Sequence, residues 1–255
     1  MGFRQAVGGL SISFAFLTRI PLPSFLFRDH IAVSRAAWAF PLVGLIVGLA
    51  QAAALGLLAG LGLHAVLVAV LVLGGSILLT GAMHEDGLGD VADSLGGGTR
   101  ERKLEIMKDS RLGTFGVLAL VLMAALKLTL FAVLADGVSW GQVLAVLIGA
   151  SVVSRVLMTV VWALLPAANV TGPGADRPTL VIALIALAIG CAIFMLLVPL
   201  QGAVLLAGAV SAAVVAPAFA IFARWQYGGV TGDVCGATQM LSELAFYGAA
   251  LSLLA

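Results

Sequence analysis

The chain has 255 residues, of which 62% are hydrophobic and only 10% charged, and its formal net charge is +1. A soluble domain is about 45 to 50% apolar even with glycine counted, so this composition predicts an integral membrane protein. The small net charge argues against nucleic acid as a partner, because nucleic-acid binding needs a concentrated basic face. Two cysteines, Cys191 and Cys235, form neither a disulfide framework nor a metal-binding spacing.

The apolar segments predict the helices. Residues 5–18 lie between Arg4 and Arg19 and are too few for a membrane span, so they predict an interfacial or re-entrant helix, with a signal peptide as the alternative. Seven runs long enough to cross about 30 Å of hydrocarbon follow. They are residues 36–62, 64–83, 114–134, 139–165, 179–199, 202–223 and 234–254. The sequence therefore predicts an all-α polytopic membrane protein, a single domain over residues 1–255 with about seven transmembrane helices.

The positions of basic residues predict the orientation, because short loops rich in lysine and arginine stay in the cytoplasm. With seven spans, all eleven loop cations fall on one side, and the connections near 63, 136 and 200 carry none. These cations are Arg4, Arg19, Arg28, Arg35, Arg100, Arg102, Lys103, Lys108, Arg111, Arg177 and Arg224. We therefore expect a bacterial or archaeal inner-membrane protein with its amino terminus and its polar site on the cytoplasmic side.

The segment from His84 to Gly116 holds seven of the twelve acidic residues and five of the thirteen basic ones. If the second helix continues to about Gly96, then Asp86, Asp90 and Asp93 share one face, because positions i, i+4 and i+7 do so. These carboxylates repel one another, and a divalent cation would offset the repulsion. Carboxylate oxygens without a nearby cysteine favour Mg²⁺; a solvated acidic helix end is the alternative.

Cations lie close to these carboxylates along the chain. Lys108 and Arg111 flank Asp109, and both side chains suit phosphate oxygens. Carboxylates for a metal and cations for phosphate are the parts that phosphoryl transfer needs, although the same cations could serve only to keep the loop inside. His84 is a candidate substrate contact, or a hydrogen-bonding side chain at the interface.

A second polar segment, residues 227–243, precedes and enters the last apolar run. Its glycines allow a ligand close to the backbone, and successive N–H groups in such a turn can cradle an anion. Asp233 is a candidate fourth metal ligand, or a residue that orients a hydroxyl. The candidate substrate-binding residues are Gly228, Gly229, Thr231 and Gly232; a simple turn is the alternative.

Two basic residues, Lys127 and Arg155, fall inside apolar runs, where charge is costly and is normally paired or functional. For Lys127 we favour structural pairing. Arg155 is a candidate for pairing or for binding substrate phosphate. In the first long run, Gly44 and Gly48 have the small-xxx-small spacing of close helix packing.

Five motifs extend over most of the chain. They are FLTRIPLP at 16–23, FPLVGLIVG at 40–48, HEDGLGDVADSLGGG at 84–98, LEIMKDSRLGTFG at 104–116 and GGVTGDVCGATQMLSE at 228–243. Together they resemble the cobalamin synthase family, the adenosylcobinamide-GDP ribazoletransferases, and the combination is specific although each motif alone is not. Two departures, Ser94 where glycine is usual and Cys235 where an aliphatic residue is common, remove no charged group.

The resemblance implies a magnesium-dependent reaction and roles for the residues. The 3′-hydroxyl of α-ribazole, or of its 5′-phosphate, attacks the cobinamide-linked phosphorus of adenosylcobinamide-GDP and expels GMP. On this hypothesis Mg²⁺ on the diphosphate is held by Asp86, Asp90 and Asp93. Phosphate charge is neutralised by Lys108 and Arg111, with Arg155 as a further candidate, and the hydroxyl proton goes to Glu85 or Asp109. The expected partners are these substrates and membrane lipid. The sequence does not decide between a monomer and a homo-oligomer.

Two other classes compete with this hypothesis. A CDP-alcohol phosphotransferase also uses membrane aspartates, but its pattern places Ala-Arg after the first Asp-Gly pair, whereas Asp86-Gly87 is followed here by Leu-Gly-Asp. A cation-coupled transporter would place its polar residues near the bilayer midplane, whereas most of the charges here lie outside the apolar runs.

Overall fold

The computed structural model describes residues 3–27, 31–168 and 175–254, and Arg28 lies outside them. The described α-helices are α1 Phe3–Leu17, α2 Val33–Ala36, α3 Phe40–Gly60, α4 Ala65–Thr80, α5 Met83–Ser94, α6 Arg100–Ile106, α7 Thr114–Ala135, α8 Trp140–Leu164, α9 Leu180–Tyr227 and α10 Gly232–Leu254. Short 3₁₀ turns occupy Ser24–Phe27 and Ala37–Ala39. Within the described residues there is no strand, only an isolated bridge between Ala167 and Val230. The predicted all-α class is confirmed.

Four described helical stretches are long and apolar enough to cross a membrane, or five if α4 and α5 form one broken span. The four are Val33–Gly60, α7, α8 and α9. The polytopic membrane class is therefore confirmed, whereas the count of seven spans is not.

Helix α9 contains two of the predicted runs. Its 48 residues would extend about 72 Å if straight, more than twice the hydrocarbon thickness. Gln201 breaks the helix with φ −165° and ψ 67°, shortly after Pro199, which lacks a backbone N–H. Gly190 and Ala209, on either side of the break, line one cavity against α8. The chain therefore reverses direction near Gln201, at the predicted boundary between the two runs.

Helix α8 lies at the centre of the molecule, and 78% of its most apolar stretch is buried. Helix α3 packs directly on it through two glycines. A Cβ at Gly44 would lie 2.5 Å from the Ser151 carbonyl oxygen, and one at Gly48 would lie 2.6 Å from Ile148 Cα. These distances confirm the close packing predicted from the glycine spacing.

The prediction that the second helix continues to Gly96 is wrong. Helix α4 ends at Thr80, Gly81 and Ala82 take left-handed φ values of 68° and 58°, and α5 leaves at 90° to α4. The Arg19 side chain occupies the space beside Gly81 where a Cβ would stand, and the Arg19 N–H donates to the Leu79 carbonyl at 2.7 Å. The segment after α1 therefore helps to hold this turn, and the three aspartates lie on a separate short helix.

Candidate functional site at the junction of α5, α7 and α10

Helix α5 meets the first turn of α10 at two glycines. A Cβ at Gly87 would lie 2.8 Å from the Asp233 carbonyl oxygen, and one at Gly236 would lie 3.3 Å from the Met83 carbonyl oxygen. Because neither glycine has a side chain, the two backbones approach closely. This contact places Asp233 beside α5, as expected for a second wall of the site.

The four candidate aspartates form one electrostatic group, which we call the acidic junction: Asp86, Asp90, Asp93 and Asp233. Burial, and then the negative charges of the other three, raise the pKa of Asp90 to about 7. Burial also raises the pKa of Asp233, with a smaller contribution from Asp86, although a hydrogen bond from Thr231 acts in the opposite direction. The charged state of the junction is therefore unfavourable without a cation.

Asp93 also has a structural role that sequence reasoning missed. Its Oδ2 accepts a hydrogen bond from the Gly113 N–H at 2.6 Å, and its Oδ1 accepts one from the Gly116 N–H at 2.8 Å. The N-cap residue of α7 is Gly113, which has no side chain to bind the free N–H groups of the first turn. Asp93 supplies this cap from α5 and so joins α5 to α7. The glycine at the N-cap was the available signal.

The donor set of the acidic junction fits Mg²⁺ by its chemistry. Among the described residues, no group of three or more His, Cys, Asp or Glu side chains has an arrangement ready to hold a metal ion. Mg²⁺ usually takes only one or two carboxylates, with substrate phosphates and water completing its shell. Asp86 is exposed and Asp90 half-buried, so their hard oxygens are accessible to an ion from outside the protein.

The predicted basic partners lie on the exposed segment before α7. Arg111 Nη2 is 2.6 Å from Asp109 Oδ2, and hydrogen bonds from Arg111 lower the pKa of Asp109 to about 2. A carboxylate so stabilised is a poor proton acceptor near neutral pH, which weakens the candidacy of Asp109 as the base. Lys108 is exposed. Both cations are accessible to a phosphate group. Arg111 also forms an ion pair with Asp109.

Glu85 lies in a buried ion cluster instead of on the exposed side of α5. Lys127 Nζ is 2.6 Å from Glu243 Oε2 and 3.9 Å from Glu85 Oε1. This contact confirms the structural pairing predicted for Lys127. Arg155, only 1% exposed, lines a small internal cavity together with Lys127 and these two glutamates. Its Nη1 donates to the Ser151 carbonyl oxygen at 2.9 Å. The structure thus places Glu85 and Arg155 together in the interior, apart from the exposed Lys108 and Arg111.

The glycine-rich segment before α10 is anchored to the end of α8. Gly228 ends α9 with a left-handed φ of 75°, and its N–H donates to Arg224. Gly229 packs against the Pro166 carbonyl, and the Val230 N–H donates to that carbonyl at 2.8 Å. The N–H groups of Gly228 and Val230 are therefore bonded within the protein and do not contribute to the predicted anion cradle.

Thr231 connects this segment to the acidic junction. Its Oγ1 accepts from the Val234 N–H at 3.1 Å, which caps α10 at the turn where Gly232 begins the helix. The same hydroxyl donates to Asp233 Oδ2 at 3.4 Å. Thr231 therefore orients Asp233. The sequence predicted Thr231 only as a substrate-binding residue and did not indicate this contact.

The fold and the acidic junction define an integral membrane protein whose accessible carboxylates gather where three helices meet. A family model described as cobalamin-5-phosphate synthase matches residues 9–251. The chain belongs to the cobalamin-5-phosphate synthase family, which confirms the resemblance carried by its motifs.

Named relatives agree with this assignment. The chain is 40% identical over 250 residues to the adenosylcobinamide-GDP ribazoletransferase of Allorhizobium ampelinum, with 93% of this chain and 94% of the relative covered. It is 41% identical over 247 residues to the protein of the same name from Sinorhizobium sp, with 93% of each chain covered. The corresponding protein of Bradyrhizobium diazoefficiens is 38% identical over 242 residues, with 94% and 92% covered. No solved structure matches the chain.

Proposed function

We propose that this protein is an adenosylcobinamide-GDP ribazoletransferase. The 3′-oxygen of α-ribazole, or of its 5′-phosphate, bonds to the phosphorus that carries cobinamide, the bond from that phosphorus to GMP breaks, and the hydroxyl proton is released. The observation that carries the proposal is the family match, which includes all five motifs in their order along the chain. The acidic junction supports it, because the metal ion that a diphosphate binds would offset the repulsion among four carboxylates.

The acidic junction is the proposed magnesium site. Asp86 and Asp90 offer accessible carboxylates, and Thr231 holds Asp233 beside them. Asp93 closes the site by joining α5 to α7. When bound, Mg²⁺ would supply positive charge that neutralises the diphosphate and the leaving GMP. Lys108 and Arg111 approach the same phosphates from the segment before α7.

Release of GMP tests this proposal. Purified protein in lipid nanodiscs, given adenosylcobinamide-GDP, α-ribazole and Mg²⁺, is expected to release GMP, and EDTA is expected to stop the release. Asp86→Asn and Asp90→Asn should each lower kcat/KM by on the order of 100-fold or more, because each removes charge at the diphosphate. Asp136→Asn is the matched control: Asp136 is exposed and follows α7 at the end opposite Gly113.

Wild-type protein that is folded and inactive with both substrates would refute the function. Full activity of the Asp86 and Asp90 variants would refute the metal site while leaving the function intact.

We also propose that the acidic junction faces the cytoplasm of an inner membrane. Three of the segments that carry predicted loop cations contact one another at one end of the helices: Arg100 donates to Ala168, Lys103 contacts Gln226, and Arg177 donates to Leu165. Such clustering is typical of a cytoplasmic face. Alkaline phosphatase fused at the C-terminus should be active, and fused within the Arg100–Ile106 segment it should be inactive. The reverse pattern would contradict this orientation.

A further inference from the structure

A pocket opens beside the acidic junction, between α1, α3, α5, α8 and α10. It has about 380 Å³ of empty space, part of it open to solvent. Its main walls are Phe16, Phe40, Met83, His84, Met158 and Trp162. The described residues that line it include no lysine, arginine, aspartate or glutamate. It is therefore unsuited to phosphate or to a charged sugar.

Aromatic rings form one wall of this pocket in a nearly parallel row. The Phe16 and Phe40 rings lie 6.1 Å apart with an interplanar angle of 11°, and the Phe40 and Trp162 rings lie 6.3 Å apart at 16°. Met83 and Met158 add polarizable thioethers, which make favourable contacts with aromatic rings. Walls of this kind favour a flat, apolar ring system.

Two buried polar atoms of the pocket residues have no hydrogen-bond partner among the described residues. They are Trp162 Nε1 and His84 Nε2, in side chains that are 4% and 3% exposed. Buried polar groups nearly always have a partner. His84 also lines the polar cavity of Lys127 and Arg155, whereas Trp162 lines only the aromatic pocket, so Trp162 Nε1 is the atom that indicates a ligand here. Since the indole N–H of Trp162 can only donate, the ligand needs an accepting atom.

The pocket adjoins the acidic junction along α5 and α10. Gly232 and Gly236 line it on either side of Asp233, and His84 lies two residues before Asp86. The pocket and the aspartates therefore lie on the same turns of α5 and α10, and none of the four aspartates is among the residues that line the pocket. A nucleoside whose base fills the pocket would direct its ribose toward the proposed metal site.

We propose that this pocket binds the base of the acceptor nucleoside, a flat and largely apolar bicyclic heterocycle with one accepting nitrogen. In α-ribazole this base is 5,6-dimethylbenzimidazole. The assignment rests on the proposed function. Guanine, the other base in the reaction, carries several donors and acceptors, most of which would remain unpaired in this pocket. The pocket thus selects the acceptor and not the nucleotide.

Direct binding tests the assignment without turnover. Full-length protein in nanodiscs is titrated calorimetrically with 5,6-dimethylbenzimidazole, and separately with guanosine. Trp162→Phe keeps a ring and removes the Nε1–H, and Phe16→Leu removes one ring from a half-buried position. Each variant should weaken binding of the benzimidazole and raise KM for α-ribazole by roughly 3- to 10-fold. KM for adenosylcobinamide-GDP should not change.

Trp140→Phe is the control, since Trp140 is half-exposed at the start of α8 and lies outside the pocket. The proposal would be overturned if neither Trp162→Phe nor Phe16→Leu weakened benzimidazole binding. It would also be overturned if the wild-type protein bound guanosine and both variants weakened that binding. If Trp162→Phe lowers the thermal stability of the protein, benzimidazole binding by Phe16→Leu is the result that tests the proposal. Benzimidazole binding that depends on both residues, in a wild-type protein that releases no GMP, would refute the proposed function alone.

Discussion

At the scale of single residues, Asp90 makes the acidic junction sensitive to pH. Its pKa in the folded protein is about 7 against an ordinary 3.8, so the folded state binds its proton more tightly than the unfolded state does. The resulting stabilisation is complete below about pH 3.8 and is lost as pH rises through about 7. In EDTA, the Tm of wild type should therefore fall over this range more than the Tm of Asp90→Asn.

Detergent-solubilised protein melted at several pH values provides the measurement. Asp136→Asn should keep the pH dependence of wild type, because its carboxylate is exposed. Saturating Mg²⁺ should lessen the fall in wild type, since a bound cation favours the ionised carboxylate. Equal pH dependence of Tm in wild type and Asp90→Asn would contradict the electrostatic coupling within the junction.

At the scale of helices, the site depends on the close approach of α5 and α10. Gly87→Ala would place a Cβ 2.8 Å from the Asp233 carbonyl oxygen, a backbone atom that cannot move alone. The two helices must separate, and we expect GMP release to fall on the order of 10- to 100-fold. Gly89→Ala is the matched control on the same helix, because its Cβ would lie 3.3 Å from the flexible end of Leu112. Similar activity of the two variants would contradict this account.

The same helices show what the sequence could predict. The shared face of Asp86, Asp90 and Asp93 followed from helical periodicity, because all three lie within α5. The break before α5 did not, since the apolar run continues through Met83 and an alanine with φ of 58° has no sequence signature. Locally encoded features were thus predictable from the sequence.

Features that depend on packing were not predictable in this way. The position of Asp233 beside α5 was expected only as a site wall, and the glycine contact that places it is visible only in the fold. The aromatic pocket brings together Phe16, Phe40 and Trp162, which lie far apart along the chain. Both the position of Asp233 and the aromatic pocket depend on how the helices pack, and helical periodicity in the sequence does not encode this packing.

At the scale of the whole molecule, Lys127 connects the three helices that build the site. It lies on α7 and approaches Glu243 on α10 and Glu85 on α5. Lys127→Met would leave two buried carboxylates without their cation and should lower the free energy of unfolding by about 3 to 5 kcal/mol. Adding Glu243→Leu to this variant should restore part of the loss, because a buried apolar pair replaces a buried ion pair at little cost.

Arg102→Met is the control for loss of a cation, since Arg102 pairs with Glu105 at 65% exposure and such surface pairs contribute about 1 kcal/mol or less. Denaturant unfolding in mixed micelles measures all three variants. A Lys127→Met variant no less stable than Arg102→Met would contradict the role of the buried cluster. If the cluster acts as described, Lys127→Met should also weaken Mg²⁺-dependent GMP release at temperatures where it remains folded. The reason is geometric, because α5 carries both Glu85, which contacts Lys127, and three aspartates of the acidic junction. Loss of the contact between Glu85 and Lys127 should therefore displace these aspartates.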